Sequence, residues 1–252
     1  MVPRSSIDLS ADLGELPGED GRRLDRELIA RVSTAHLATG AHAGDKASMA
    51  RGAEACAASA TRLGAHPSYP DRDGFGRRRL SLSPGAVAAS LLDQLGALEE
   101  AAAPSGLAIE SIKPHGQLYH DLSDDEELAR TVFHALARRS TKTFVVLAAG
   151  SHALSVATEL GLRVVAEGFC DRAYDERGRL VDRGQPGAML REGAQVGDQV
   201  RQLVTEGLRV EGAHVEVTSL CVHSDGPDAL GAVASARAAL DDLGVAVAAP
   251  VL

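Results

Sequence analysis

Short apolar or β-branched runs alternate along this chain with longer Ala- and Leu-rich stretches of helical period. The runs predict strands over residues 6–9, 34–38, 63–65, 109–113, 143–148, 163–166 and 215–222. The stretches predict helices over 25–33, 46–61, 84–103, 124–139, 151–160, 194–206 and 228–243. Local signals support several of them. Ser83-Pro84 reads as an N-cap followed by proline at the first helical position, and Ser123-Asp124-Asp125-Glu126 as a capping box. Gly161 and Gly244 stand where helix-ending glycines belong. Seven strands interleaved with helices imply parallel β-α units, and 252 residues suit one α/β-barrel domain over 1–252.

Composition narrows the partners. With no Trp and only 3% aromatics, the core must be aliphatic. A net charge of -9 argues against nucleic acid or an anionic membrane, both of which need a cationic surface, and leaves a small-molecule substrate. Residues 1–6 show no apolar targeting segment and no run nears 18 apolar residues, so a cytoplasmic location is expected. Cys56, Cys170 and Cys221 are widely spaced and form no CxxC pair, which argues against disulfides or a thiolate zinc site, and Cys170 and Cys221 read as packing residues rather than nucleophiles.

Polar residues cluster at six places, 8–15, 39–45, 64–72, 113–119, 167–174 and 221–226, each at or just after the C-terminal end of a predicted strand. In a closed barrel these ends share one face, where such folds place their chemistry. His42, His66, His115 and His223 would then surround one mouth with Asp12, Glu15 and Glu167. Lys113 and Glu167, both at strand ends, can also simply pair with each other. Arg77–Arg79 reads as a solvated loop tip, and His134, His152 and His214 as helix or helix-start residues without a catalytic role. Residues 40–46 lack the GxxxxGK[ST] spacing of a Walker loop, and neither HExxH nor GxSxG occurs.

Taken in order, the clusters resemble the LamB/YcsF family, whose hallmarks read DLNxDxGE, GFHAGD, GAHPSYPDRxGFGRR, KPHGALY, AEGFADRxY with a later LVxR, and LCVHGD. Residues 8–15, 40–45, 64–78, 113–119, 166–174 with 180–183, and 220–225 match them, and 64–78 is almost unaltered. The chain departs from the pattern at Ser10, His36, Thr39, Ala41, His120 and Ser224, and it contains no Asn at all.

The resemblance implies a seven-stranded β/α barrel of the glycoside hydrolase/deacetylase type. It also implies the role of the A component of 5-oxoprolinase. That role is ATP-dependent opening of 5-oxo-L-proline to L-glutamate together with B and C subunits, ATP being held by this chain or by its partners. For that chemistry Asp12, His42, His66, Lys113 and His115 are the expected catalytic residues. Asp12 and His66 form a base or metal-binding pair with His42 third, Lys113 neutralises oxyanion or phosphate charge, and His115 donates a proton. Glu15, Arg72, Glu167, Arg172 and His223 are expected to bind substrate, the arginines as carboxylate or phosphoryl clamps. Two other classes fit the same residues: a metal-dependent amidohydrolase or deacetylase without ATP, with a divalent ion on Asp12, His42 and His66, and a catalytically weakened paralogue that binds a small carboxylate.

Overall fold

The computed structural model describes residues 4–226 and 228–251. Strands β1 (Ser6–Leu13), β2 (Thr34–Ala38), β3 (Arg62–His66), β4 (Ser111–Ile112), β5 (Phe144–Ala148) and β6 (Arg163–Phe169) each pair in parallel with the next. A separate antiparallel hairpin follows, β7 (Leu208–Val210) with β8 (Ala213–Val215). Strand β9 (Ser219–His223) then pairs in parallel with both β6 and β1, closing a ring of seven. A short β10 (Ala246–Val247) pairs with Ser6 and Ile7 at the start of β1. Around the ring stand α1 (Gly18–Ile29), α2 (Lys46–Ser59), α3 (Pro84–Ala102), α4 (Gly116–Asp124), α5 (Glu126–Arg139), α6 (His152–Glu159), α7 (Gly193–Thr205) and α8 (Ala229–Asp242).

Alternation along the strands sorts the side chains between two environments. On β1, Ile7, Leu9, Ala11 and Leu13 join the aliphatic cluster that packs strands against helices. Asp8, Ser10 and Asp12 take the opposite, inner face and are buried there. On β9, Leu220 and Val222 belong to that cluster, while Ser219, Cys221 and His223 face inward. The barrel interior is therefore layered: Asp8, Thr34 and Ser219 at the floor, Ser10, His36 and Ser111 midway, and Asp12, Cys221 and Lys113 at the mouth. Direct contacts tie the floor and middle layers: Ser219 Oγ donates to Asp8 Oδ2 at 2.6 Å, and His36 Nε2 lies 3.0 Å from Ser111 Oγ.

Several boundaries differ from expectation for identifiable reasons. Predicted strand 215–222 is two elements, because the chain turns after β8 before entering the barrel at β9. The hairpin itself is largely exposed and lacks the apolar run that marks a barrel strand. His214 lies on β8 rather than on a helix. Strand β1 continues to Leu13, so Asp12 sits on the strand and not in the loop beyond it. Helix α1 begins at Gly18 and ends at Ile29, and the polar residues 116–119 open a helix, α4, rather than a loop. The break between α4 and α5 is capped by Asp125, whose carboxylate accepts from Leu128 N, in place of the expected box at Ser123. Ser83 caps α3 as expected, accepting from Ala86 N. No helix among the described residues is long and apolar enough to cross a membrane.

Candidate active site

Lys113, just beyond β4, is buried with its Nζ 2.8 Å from Glu167 Oε1, 3.0 Å from Asp12 Oδ2 and 2.9 Å from Cys221 Sγ. Burial alone would lower its pKa, but Asp12, Cys221 and Glu167 outweigh it and hold the ammonium well above its ordinary value. Burial likewise opposes the charge on Asp12, yet His66, Lys113, His223 and His36 surround it and keep it ionised. Glu167 has only Lys113 and the Tyr119 hydroxyl in its favour, and burial pushes it upward. One ammonium thus serves two carboxylates, and Asp12 has the stronger claim.

A second cluster adjoins the first. Glu15 comes from the loop after β1, His42 from the loop after β2, His66 from the end of β3 and His115 from the residue capping α4. His42 Nε2 and His115 Nδ1 each lie 3.1 Å from Glu15 Oε1, and His115 Nδ1 lies 3.0 Å from His66 Nε2. The His42 and His115 rings stack at 3.7 Å, and the Phe75 ring meets both edge-on. Burial would raise Glu15, but the imidazoles of His115 and His42 set against it hold it well below the usual carboxylate range. Burial drives His66 well below, and His42 below, the ordinary imidazole value.

The loop that supports this cluster is the long, almost unaltered motif of the sequence. Gly76 adopts φ +65°, and a Cβ there would lie 3.0 Å from both His42 Cβ and His115 Cδ2. Phe75 is held at φ +53°, a costly conformation for an aromatic residue, and its carbonyl accepts from His115 Nε2. That motif shapes the backbone pressed against the histidine stack.

On the far side of the mouth, His223 is fixed by Asp171: Nδ1 lies 2.9 Å from Oδ1, the backbone N–H donates to Oδ2, and the ring stacks on Phe169. Its Nε2 is left toward Asp12 Oδ2, 4.0 Å away. Asp12, His66, Lys113, His115, Arg172 and His223 all line one cavity of about 430 Å³. The Arg172 guanidinium donates from Nη2 to Val181 O, and its buried Nε has no protein partner among the described residues.

Of the expected site residues, Arg72 joins neither of these two clusters. It holds the backbone carbonyls of Gly40 and Gly44 and lines a different cavity, of about 760 Å³, between α1 and α2. Its role as a clamp at the mouth is replaced by support of the loop that carries His42. Glu15 and His42 form part of the same cavity's wall, whereas Glu167 lies beneath the mouth, paired with Lys113 as the simpler reading anticipated. The expected trio for a divalent ion also changes. Asp12, paired with Lys113, falls in one set with Cys221 and His223, while His42 and His66 fall in another with Glu15 and His115, the ligand atoms of each set lying within 4.8 Å of one another.

Sequence reasoning missed Cys221, His36, Asp171 and Tyr119. Cys221 is no mere packing residue, since its sulfur touches Lys113, and it stands two residues before His223 on the inward face of β9. That period-two spacing was the available signal. Arg77 is not merely solvated either: it pairs with Asp225 across the mouth, as does Arg183.

Fold and site together define a β/α-barrel protein of the glycoside hydrolase/deacetylase type with a histidine- and carboxylate-lined mouth. The chain belongs to the LamB/YcsF family, whose sequence pattern it matches over residues 7–251. It is 38% identical over 245 residues to the A component of 5-oxoprolinase from Pyrococcus furiosus, covering 96% of each chain. A crystal structure of a lactam utilization protein from Thermus thermophilus superposes with TM-score 0.86 at 34% identity, covering 97% of this chain and 100% of that one. The fold alone extends further, to the polysaccharide deacetylase Bc1974 from Bacillus cereus, with TM-score 0.51 at 15% identity over 98% of this chain and 93% of that one.

Proposed function

We propose that this chain is the lactam-opening component of an ATP-dependent 5-oxoprolinase, converting 5-oxo-L-proline to L-glutamate in the cytoplasm as one barrel domain with B and C subunits. The observation that carries the reading is the meeting of Asp12, Lys113, His66 and His223 in one cavity, in a chain related end to end to a protein of that name.

A lactam is a resonance-stabilised amide, so opening it requires activation of the carbonyl, a base for water and an acid for the leaving nitrogen. Transfer of the terminal phosphoryl group of ATP to the lactam oxygen would supply the activation and release ADP, whether this chain or a partner holds the nucleotide. After water attack and C–N cleavage, a second water would hydrolyse the resulting acyl phosphate to glutamate and inorganic phosphate. Lys113 faces the negative charge that gathers on the lactam oxygen, and Arg172 the carboxylate of the substrate. Asp12, held ionised, is the base for water. His115 is a less apt proton donor than the sequence suggested, because its Nε2 is committed to the Phe75 carbonyl and its Nδ1 to the Glu15 cluster. His223, oriented by Asp171 with Nε2 toward the cavity, is better placed to pass the proton to the ring nitrogen.

The test is glutamate formation and ADP release from 5-oxoproline by the purified chain, alone and with B and C subunits. His66→Ala should abolish turnover while the far-UV spectrum stays native. Failure of the three together to form glutamate would sink the reading. The Glu15, His42, His66 and His115 set favours a second reading, a metal-dependent amidohydrolase that works without ATP, and glutamate formed in the absence of nucleotide would select it.

A further inference from the structure

Hydrogen-bond partners fix where the protons of the clustered imidazoles lie. His66 Nδ1 is 2.7 Å from the Lys113 carbonyl oxygen, and His115 Nε2 is 2.9 Å from that of Phe75. A carbonyl only accepts, so each of these outer nitrogens carries its ring's hydrogen. In neutral rings, His66 Nε2 and His115 Nδ1 are therefore bare lone pairs, and they face each other at 3.0 Å. Glu15 Oε1, also an acceptor, stands 3.1 Å from His115 Nδ1 and 3.6 Å from His66 Nε2. His42 repeats the pattern. Its Nδ1 lies 3.0 Å from Ser68 Oγ, whose hydrogen goes to the Tyr69 carbonyl, and its Nε2 lies 3.1 Å from Glu15 Oε1. Four buried electron-rich atoms converge, and they repel one another unless they share a cation.

We propose that Glu15, His42, His66 and His115 bind one divalent transition-metal ion of the zinc class. Tetrahedral bonds of about 2.0–2.1 Å imply donor–donor edges of roughly 3.3–3.4 Å. Four of the six separations here run from 3.0 to 3.6 Å, and all four atoms lie within 4.8 Å of one another. Three neutral imidazoles and one carboxylate form a borderline donor set that suits zinc, cobalt or nickel rather than magnesium or calcium. Each imidazole is also braced on its outer side, His66 and His115 by carbonyls and His42 by a hydroxyl, which is how metal-bound histidines are held. His66 and His115 line the mouth cavity while Glu15 and His42 line the cavity between α1 and α2, so the ion belongs in the wall between the two. The inference does not depend on the lactam reading, and the two can fail separately.

The test uses the purified full chain, stripped with chelator and dialysed. Calorimetric titration with Zn²⁺ should show one equivalent bound, and Co²⁺ should give the intense visible band of a tetrahedral site. Glu15→Gln and His115→Ala should each weaken Zn²⁺ binding by about a hundredfold or more. His214→Ala, on the distant hairpin, should leave it unchanged. Far-UV spectra identify variants that remain folded, and His42→Gln serves if either of the first two does not. Absence of stoichiometric metal would overturn the proposal, especially with imidazole ¹⁵N shifts at pH 7.5 showing that a proton bridges His66 and His115. Binding unaltered in a folded His115→Ala protein would overturn it as well.

Discussion

Lys113 holds apart two carboxylates that would otherwise face each other in the barrel without a counter-ion. Lys113→Met should therefore cost about 3–5 kcal/mol, the usual penalty for leaving one half of a buried ion pair behind. Urea denaturation at pH 7.5 measures it, and adding Glu167→Gln should recover part of the loss. A cost below about 1 kcal/mol would mean that the carboxylates are compensated without the lysine. Asp25 offers a pH-dependent case. Burial raises its carboxyl to about 6, with the charge of Glu15 adding to the effect against the Gly14 N–H. The folded state thus keeps this proton between pH 3.8 and about 6 while the unfolded chain releases it, so the contribution to stability falls as pH rises through that window. Asp25→Asn should match the parent near pH 4 and exceed it by about 2 kcal/mol at pH 7.5, a figure reduced for partial solvent screening. A difference that does not vary with pH would refute this account.

At the scale of elements, the apolar runs of the barrel strands and the N-cap of α3 were legible because each is written in consecutive residues. What was not legible depends on contacts between distant segments. Cys221 meets Lys113 only because β9 closes the ring, and Asp12 meets Lys113 only because their side chains cross the mouth. Hairpin β7–β8 escaped because it is largely exposed, and α4 because its first turn is spelled in residues that also carry chemistry. The loop between β3 and α3 shows how an element governs the site without supplying a ligand. Gly76→Ala combines a disfavoured φ of +65° with a methyl group 3.0 Å from His42 and His115. It should cost about 1 kcal/mol of stability from the backbone alone. Turnover should fall at least about tenfold as the stacked rings are pushed apart, in line with the steep cost of small misplacements. Equal turnover in the variant would show that the stack tolerates displacement.

The whole barrel separates two aspartates that share one strand. Asp8 and Asp12 both face inward on β1, four residues and about 13 Å apart at roughly 3.3 Å per residue. Asp8 lies at the floor, accepting from Ser33 Oγ and Thr34 Oγ1 at 2.7 Å each and from Ser219 Oγ at 2.6 Å. Burial raises its carboxyl above the ordinary value despite those three hydroxyls. Protonation therefore favours the fold, and the stability Asp8 contributes declines as pH rises through the interval between its unfolded and folded values. Asp8→Asn keeps an acceptor for the hydroxyls and removes the buried charge, so relative to the parent it should gain stability from pH 4 to pH 8. Its turnover should stay within about twofold, because residues at the floor of such barrels serve stability while the mouth serves chemistry. Asp12→Asn should do the reverse. It leaves a folded barrel and lowers kcat/KM by about a hundredfold or more, as expected when a general base is removed. Thermal denaturation across that pH range, paired with 5-oxoproline turnover of both variants in the presence of the B and C subunits, measures the contrast. Equal losses of turnover in the two would mean that floor and mouth are not functionally separate, and the layered reading of the interior would fail with them.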